Sequence, residues 1–244
     1  MKSLNPTQHA CLESMGIDVW VPRVEVVVDS NAATSGAEIK SKTVVDTQPE
    51  PAVSAIPTNW HDLRQAVATC QKCILHTTRT QAIFGSGNQN ADWLIIGDIP
   101  SEADDQKGGV FSDQSGELLT AMLEAIGLTR QQVYIANTLK CITPNNHKPE
   151  TDESETCIQY LLQQIALIKP KLILIIGQNA AQRLLKTHST MARLRQKVHT
   201  LVDFNIPVVV TYHPAYLLNM PADKEKAWQD LILAKKTISA AAVL

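Results

Sequence analysis

The chain contains 244 residues, of which 44% are hydrophobic, and its formal net charge at pH 7 is −2. This length is sufficient for one core of roughly 150–200 residues together with an appendage. The N-terminal segment lacks an apolar signal-peptide core, and no apolar run approaches the roughly 18 residues that span a membrane. We therefore expect a cytoplasmic protein that neither is secreted nor enters a membrane.

The basic residues are unevenly distributed, which qualifies the weak argument that a near-neutral charge makes against nucleic-acid binding. Residues 156–202 contain no Asp or Glu. The same segment carries seven basic residues: Lys169, Lys171, Arg183, Lys186, Arg193, Arg195 and Lys197. Such a segment is typical both of a phosphate-binding surface and of an ordinary solvated helix, and the sequence leaves these two interpretations equal.

The first 57 residues differ from the rest of the chain. Residues 24–57 are rich in Val, Ser, Ala, Thr, Pro and Glu and nearly lack large side chains, which predicts a flexible linker. Ahead of the linker, residues 9–22 contain an apolar cluster: Leu12, Met15, Ile17 and Trp20. One short helical turn cannot bury these groups, so we expect them to dock on the folded domain or to bind a partner. We predict a disordered N-terminal tail over residues 1–57 and a folded domain over residues 58–244.

From residue 59 onward the apolar pattern predicts alternating helices and strands. The predicted strands are residues 93–97, 133–138, 171–176 and 207–212. The predicted helices lie near residues 60–67, 118–126, 151–168 and 179–185, and a last one begins near residue 222. Buried strands that alternate with helices are typical of a parallel sheet covered on both faces. We therefore predict an α/β domain with three αβα layers around a central, mostly parallel four-stranded sheet.

Polar side chains follow several of these strands at the point where each strand ends. Asp98 follows the first predicted strand, Asn137 lies at the end of the second, and His213 follows the fourth. In open α/β sheets, ligands bind at the carboxyl ends of the strands. The sequence therefore predicts a polar pocket at this edge.

Four of the five cysteines have a spacing that is typical of metal ligands: Cys70, Cys73, Cys141 and Cys157. The first two form a Cys-x-x-Cys pair on one short turn, and the other two bring later segments to the same centre. Thiols in the cytoplasm stay reduced, so we interpret the set as ligands rather than disulfides. From spacing alone, a structural zinc ion and an iron–sulfur cluster are equally supported.

At this point the domain resembles the uracil-DNA glycosylase superfamily, and most closely family 4, its iron–sulfur branch. The resemblance covers about residues 62–235. Its motifs are Cys70-x-x-Cys73, Ile83-Phe-Gly-Ser-Gly-Asn88, Gly97-Asp-Ile-Pro100, Gly109-Val-Phe111, Ser115-Gly-Glu-Leu-Leu119, Tyr134-Ile-Ala-Asn-Thr-Leu-Lys-Cys141, Pro144-Asn-Asn146, Cys157, Leu194-Arg195 with His199, and Thr211-Tyr-His-Pro-Ala-Tyr-Leu-Leu218. The resemblance implies a [4Fe–4S] cluster on the four cysteines, with zinc as the less favoured occupant.

The same resemblance implies hydrolysis of the N-glycosidic bond of deoxyuridine in DNA, as part of base-excision repair. Phe111 matches the aromatic residue that stacks on the flipped base, and Asn137 the amide that reads its Watson–Crick edge. His213 would donate to the departing base. Asp98 or Asp104 would orient the attacking water.

Four further residues match positions that imply contacts with DNA. Leu217 and Leu218 correspond to a loop that wedges into the minor groove after the base is flipped. Arg195 and Lys197 would hold phosphates. Apart from DNA and the tail's partner, the resemblance implies a monomer.

The first motif departs from the family pattern. The family has Gly-Glu-Ala-Pro-Gly, whereas this chain has Gly97-Asp98-Ile99-Pro100-Ser101. The carboxylate of Asp98 is one methylene shorter than that of Glu, and Ile99 replaces a small residue. These changes lead us to expect a slow enzyme and keep a non-catalytic alternative open.

That alternative comes from the N-terminal apolar cluster of residues 9–22. It resembles the peptide by which the psi subunit of bacterial DNA polymerase III binds its chi partner. The chain is then either a repair enzyme recruited to the replisome or a psi-like clamp-loader subunit without catalysis. Both hypotheses imply the bacterial cytosol or nucleoid, with a chi-like partner on the tail.

Overall fold

A six-stranded sheet organises the part of the chain that the computed structural model describes, residues 56–144 and 147–241. Its strands are β1 Ser86–Gly87, β2 Trp93–Gly97, β3 Val133–Asn137, β4 Leu172–Ile176, β5 Val198–Leu201 and β6 Ile206–Thr211, in the order β1-β3-β2-β4-β6-β5. The four central strands are parallel, whereas β1 and β5 pair antiparallel at the two edges. The predicted parallel core of four strands is therefore confirmed.

The two edge strands were not predicted, and their sequences explain why. Strand β1 has only two residues, both exposed. Strand β5 buries only Leu201 fully, so it lacks the apolar pattern of a core strand. Edge strands of this kind are defined by their backbone pairing with a neighbour rather than by periodicity.

Helices cover both faces of the sheet. Their bounds are α1 Trp60–Ala68, α2 Glu102–Lys107, α3 Gln114–Ala125, α4 Thr151–Ile168, α5 Gln178–Leu184, α6 Met191–Leu194, α7 Pro214–Asn219 and α8 Lys224–Ala241. Alternate side chains of β2 enter different cores: Ile95 packs on the face that α3, α7 and α8 cover, and Leu94 on the face that α4, α5 and α6 cover. The predicted three-layer αβα architecture is confirmed.

Local chemistry sets the helix ends that flank the site. Helix α2 is capped at its start by Ser101, whose side chain accepts from the N–H of Asp104, and at its end by Gly108 with φ 73°. Helix α3 is capped by Asp113, whose carboxylate accepts from the N–H of Gly116. Helix α4 is capped by Glu150, which donates its N–H to the side chain of Glu153.

Several sequence-based predictions lie outside the described residues. These are the partner-binding cluster Leu12, Met15, Ile17 and Trp20 and nearly all of the linker, so they stay predictions. Among the described residues, Ile56 lies against a small core that contains Leu63 and Val67 of α1. Within the described ranges, no helix combines the length and the apolar character that crossing a membrane requires.

Candidate active site and cysteine cavity

The carboxyl ends of β2 and β3 bring a glycine, an amide and an aromatic ring together. A Cβ atom on Gly97 would lie 2.3 Å from Oδ1 of Asn137 and 2.8 Å from Cζ of Phe111. Neither neighbour could tolerate such a contact. Gly97 is therefore required for the amide and the ring to approach each other at the end of the sheet.

Asn137 presents an unusual hydrogen-bonding state. Its side chain is only 2% exposed, and its Oδ1 is buried without a hydrogen-bond partner among the described residues. An unsatisfied buried acceptor costs about 1–3 kcal/mol, so such a group in a native protein requires an explanation. A ligand that brings an N–H group to this oxygen would satisfy it.

Phe111 forms a rigid wall beside this amide. Its backbone adopts a left-handed conformation with φ 53°, and its ring stacks on His213 with 5.5 Å between ring centroids. The buried side of the loop is held by Arg130, which donates to the carbonyl oxygens of Val110 at 2.6 Å and Phe111 at 3.4 Å. At Gly116, a Cβ atom would lie 1.8 Å from the Phe111 carbonyl oxygen, so only glycine fits there.

His213 is oriented as a neutral hydrogen-bond donor. Its Nδ1 accepts from the backbone N–H of Ala215 at 3.2 Å, at the start of α7. In the neutral imidazole, the proton must then reside on Nε2. Burial lowers the pKa of His213 below its ordinary value of 6.5, an effect that the charges of Asp98, Asp113 and Asp104 partly offset. The ring is therefore mostly neutral at pH 7, and no group among the described residues accepts from its Nε2–H.

This environment predicts a pH dependence that NMR can measure. The His213 imidazole should titrate below pH 6.5, and Asp98→Asn should lower the midpoint further because it removes a negative charge that favours the imidazolium. The unfolded chain binds the proton at higher pH than the folded chain, so this histidine should make stability fall as pH drops below 6.5. A midpoint above 6.5 in the wild-type protein would contradict the assignment.

Two carboxylates were candidates for orienting water, and the structure separates them. Asp104 is 3% exposed, and its two oxygens accept from the N–H groups of Ser101 at 3.0 Å and Ser112 at 2.7 Å. It therefore holds the loop that contains Phe111, and we withdraw it from the catalytic candidates. Asp98 is paired with Arg183 of α5 instead, and it lies close enough to His213 to raise the pKa of that histidine.

Two other predicted residues also need correction. Leu217 is 1% exposed within the core on one face of the sheet, so it cannot wedge into DNA, whereas Leu218 is 40% exposed. Consecutive positions of a helix point about 100° apart, which explains the difference. Arg195 is buried, its Nε lies 2.6 Å from Asp230, and its guanidinium covers the ring of Tyr212. We therefore withdraw Leu217 and Arg195 from the DNA-binding set.

Lys197 remains exposed after this correction. Together with Arg193 and His199 it lines a cleft beside the edge strand β5. No acidic side chain lines this cleft, and in the described ranges neither Lys197 nor Arg193 forms an ion pair. The side chains of Lys197 and Arg193 are therefore both available to bind a phosphate.

The four predicted cysteine ligands line one cavity: Cys70, Cys73, Cys141 and Cys157. Two N–H groups point at its sulfurs. Arg79 donates to Sγ of Cys141 at 2.9 Å, and the backbone N–H of Lys140 donates to Sγ of Cys157 at 3.1 Å. All four cysteines are free thiols. The segment after α1, the loop after β3 and helix α4 thus meet at one thiol-rich cavity.

Burial dominates the titration of these thiols. It raises the pKa of Cys157 to about 12 and also raises the pKa values of Cys141 and Cys73. A metal must therefore displace protons when it binds here, because thiolates are the ligands. The four thiols share one cavity, but in the described ranges no group of three or more His, Cys, Asp or Glu side chains already has the arrangement of a metal-ion site, so binding would also have to draw the sulfurs together.

Three basic residues that hold the site residues in place were not predicted from the sequence. Arg130 holds the Phe111 loop, and Arg183 pairs with Asp98. Lys140 is buried, and its Nζ donates to Gln164 at 2.6 Å and to the carbonyl oxygen of Asn137 at 3.1 Å. Arg183 carried a signal as one of the basic residues in the acid-free segment, and Lys140 as part of the motif that ends at Cys141.

Comparison with known proteins agrees with this arrangement. The family model of the Uracil DNA glycosylase superfamily matches residues 84–232, which is more than half of the chain. The Type-4 uracil-DNA glycosylase of Archaeoglobus fulgidus is 37% identical over 175 residues, which cover 69% of this chain and 88% of the relative. Similar proteins of the same name come from Pyrobaculum aerophilum, 33% identical over 70% of this chain and 90% of the relative, and Thermotoga maritima, 34% identical over 63% and 80%. The chain therefore belongs to the uracil DNA glycosylase superfamily.

Proposed function

We propose that this protein is a uracil-DNA glycosylase, which hydrolyses the N-glycosidic bond of deoxyuridine in DNA. The observation that carries the proposal is the buried, unpartnered Oδ1 of Asn137, next to the ring of Phe111 and the neutral imidazole of His213. The relatives named Type-4 uracil-DNA glycosylase support it, since their similarity extends over most of this chain.

Base recognition follows from the chemistry of the amide. Oδ1 of Asn137 can accept from N3–H of uracil, while its NH₂ group donates to O4. Cytosine offers the opposite pattern, so it would leave buried polar groups unpaired at about 1–3 kcal/mol each. The Phe111 ring provides the face on which the flipped pyrimidine stacks.

Bond cleavage then needs a stabilised leaving group and a positioned water. Nε2–H of His213 donates to O2 of uracil as negative charge develops there, in the manner of an oxyanion hole. Asp98 orients the water that attacks C1′. Outside the pocket, Lys197 binds a phosphate and Leu218 enters the minor groove.

We further propose that the four cysteines hold a [4Fe–4S] cluster with a structural role. A cavity lined by four thiols and served by two N–H donors supports this assignment, because N–H groups on the sulfurs stabilise thiolate-bound iron–sulfur centres. The resemblance to family 4 favours iron over zinc. When bound, the cluster joins three segments of the chain that carry or flank the pocket.

A single-turnover assay tests the proposed activity. Enzyme in excess over an oligonucleotide with one uracil should convert it to an abasic strand, and the same strand with thymine or cytosine should stay intact. Apparent affinity for the DNA should fall steeply with salt, less steeply in Lys197→Met, because each phosphate contact releases counterions.

The sample for this assay should contain the four irons per chain that a [4Fe–4S] cluster predicts. If such protein forms no abasic product, the proposed activity is contradicted. The psi-like, non-catalytic alternative would then be favoured. Its partner peptide lies outside the described residues, so the chi-like partner stays a prediction.

A further inference from the structure

The carboxylate of Asp98 is held at one of its two oxygens. Oδ1 accepts a hydrogen bond from Nη1 of Arg183 and lies 3.2 Å from the hydroxyl of Thr138. The same hydroxyl accepts from Arg183 at 3.0 Å and lies 2.8 Å from the Asp98 carbonyl oxygen. In the described ranges no donor is bonded to Oδ2, so one oxygen of Asp98 is fixed and the other is available.

The partners of Asp98 are placed by different parts of the fold. Thr138 follows Asn137 directly, and its N–H donates to the carbonyl oxygen of Gly97, which continues the pairing of β2 with β3. Arg183 comes from α5, 85 positions along the chain from Asp98. The side chains of Arg183 and Asp98 are 14% and 15% exposed, so their interaction is screened by water far less than that of a surface pair.

This burial also separates Arg183 from the surface arginines and lysines that could bind DNA phosphates. Its guanidinium is directed to Asp98 and Thr138 rather than to solvent. Asp98 follows β2 and His213 follows β6, so the fixed carboxylate lies at the same edge of the parallel sheet as Asn137 at the end of β3. Asp98 is one methylene shorter than the glutamate of the family motif, so its reach is smaller and its orientation matters more.

We propose that Arg183, assisted by Thr138, is the positioning residue that orients Asp98 for catalysis. Arg183 fixes Oδ1, and the Thr138 hydroxyl positions the Arg183 guanidinium by accepting from it, which leaves Oδ2 to accept a hydrogen bond from the attacking water. The water oxygen bonds to C1′, the C1′–N1 bond breaks, and its electron pair leaves on uracil. The water proton passes to Oδ2 and then to solvent, and solvent protonates the released uracil. This inference rests on the proposed glycosylase activity.

The test separates catalysis from binding. Arg183→Met keeps the unbranched, largely apolar stem of the side chain and removes the charged guanidinium. It should lower the single-turnover rate at saturating enzyme about 100-fold, because a misplaced catalytic group loses about this much. Affinity for an oligonucleotide with non-cleavable 2′-fluoro-deoxyuridine should stay unchanged. Thr138→Val should lower the rate less, and it serves as the second variant if Arg183→Met fails to fold.

A double-mutant cycle and a chemical rescue identify the route of the effect. If Arg183 acts through Asp98, Arg183→Met combined with Asp98→Asn should be no slower than Asp98→Asn alone. Millimolar guanidinium should restore part of the rate of Arg183→Ala, which a merely structural role would not produce. Arg64→Met is the matched control. Arg64 is an exposed residue of α1, and its guanidinium lies over the ring of Phe84. The excision rate of this variant should equal that of the wild type.

Three results would overturn the inference. An unchanged rate with weaker, less salt-dependent DNA binding would make Arg183 a phosphate contact. A faster Arg183→Met variant would show that the pair restrains Asp98 unproductively. Additive effects in the double mutant would separate Arg183 from Asp98. An inactive wild-type protein, in contrast, overturns the proposed function itself and this inference with it, so the two failures are distinguishable.

Discussion

Asn137→Ala should lower the single-turnover rate of uracil excision by about 100- to 1000-fold, the loss typical of removing one preorganised hydrogen-bonding group from an active site. The physical reason is the state of its amide. Oδ1 is buried without a partner in the described ranges, so the free protein has already carried the desolvation penalty that uracil binding would otherwise incur. Alanine removes both hydrogen bonds to the base edge.

The companion variant Asn137→Asp tests specificity rather than rate. A carboxyl group can gain a proton and thereby change its donor and acceptor pattern, so discrimination against cytosine should relax. The measurement is the ratio of excision rates on uracil- and cytosine-containing strands of the same sequence. An Asn137→Ala variant that excises uracil at the wild-type rate would remove Asn137 from the site and with it the main support for the proposed function.

Cys141→Ser should abolish the cluster and most of the folded protein. Cys141 is 4% exposed, and its sulfur accepts from Arg79, which also donates to the Cys70 carbonyl oxygen at 2.8 Å. Structural zinc sites in small peptides contribute about 10–16 kcal/mol, which is as large as the whole stability of about 5–15 kcal/mol of a typical domain. A site that joins three segments should therefore be needed for folding, not only for activity.

The measurements are iron content, absorbance and far-UV circular dichroism of anaerobically purified protein. Wild-type protein should be brown with about four irons per chain. Cys11→Ser is the matched control, since Cys11 lies outside the four-cysteine set, and it should keep both the iron and the fold. Colourless wild-type protein with one zinc ion would overturn the iron assignment, and a brown, folded Cys141→Ser protein would exclude Cys141 as a ligand.

The sequence by itself determined the central architecture and most candidate residues of the pocket. Four runs of buried aliphatic residues alternate with amphipathic segments, and such runs have few alternatives to a covered parallel sheet. Once the strands are assigned, the residues that follow them must gather at one edge. Asp98, Asn137 and His213 could therefore be placed together from local patterns alone, and four cysteines in one domain could be placed at a common centre.

Tertiary structure alone decided which side chains remain available for chemistry. Arg195 forms an ion pair with Asp230, 35 positions later in the chain, and Asp98 forms one with Arg183, 85 positions later. Leu217 and Leu218 are identical, adjacent residues, but they differ in burial because only one side of α7 packs on the core. Periodicity reports which face of an element is buried, whereas a charged pair depends on how distant elements pack against each other. Only the packed structure specifies those distances, and so only it could distinguish a phosphate-binding arginine from one that stabilises the fold or pairs with the proposed catalytic carboxylate.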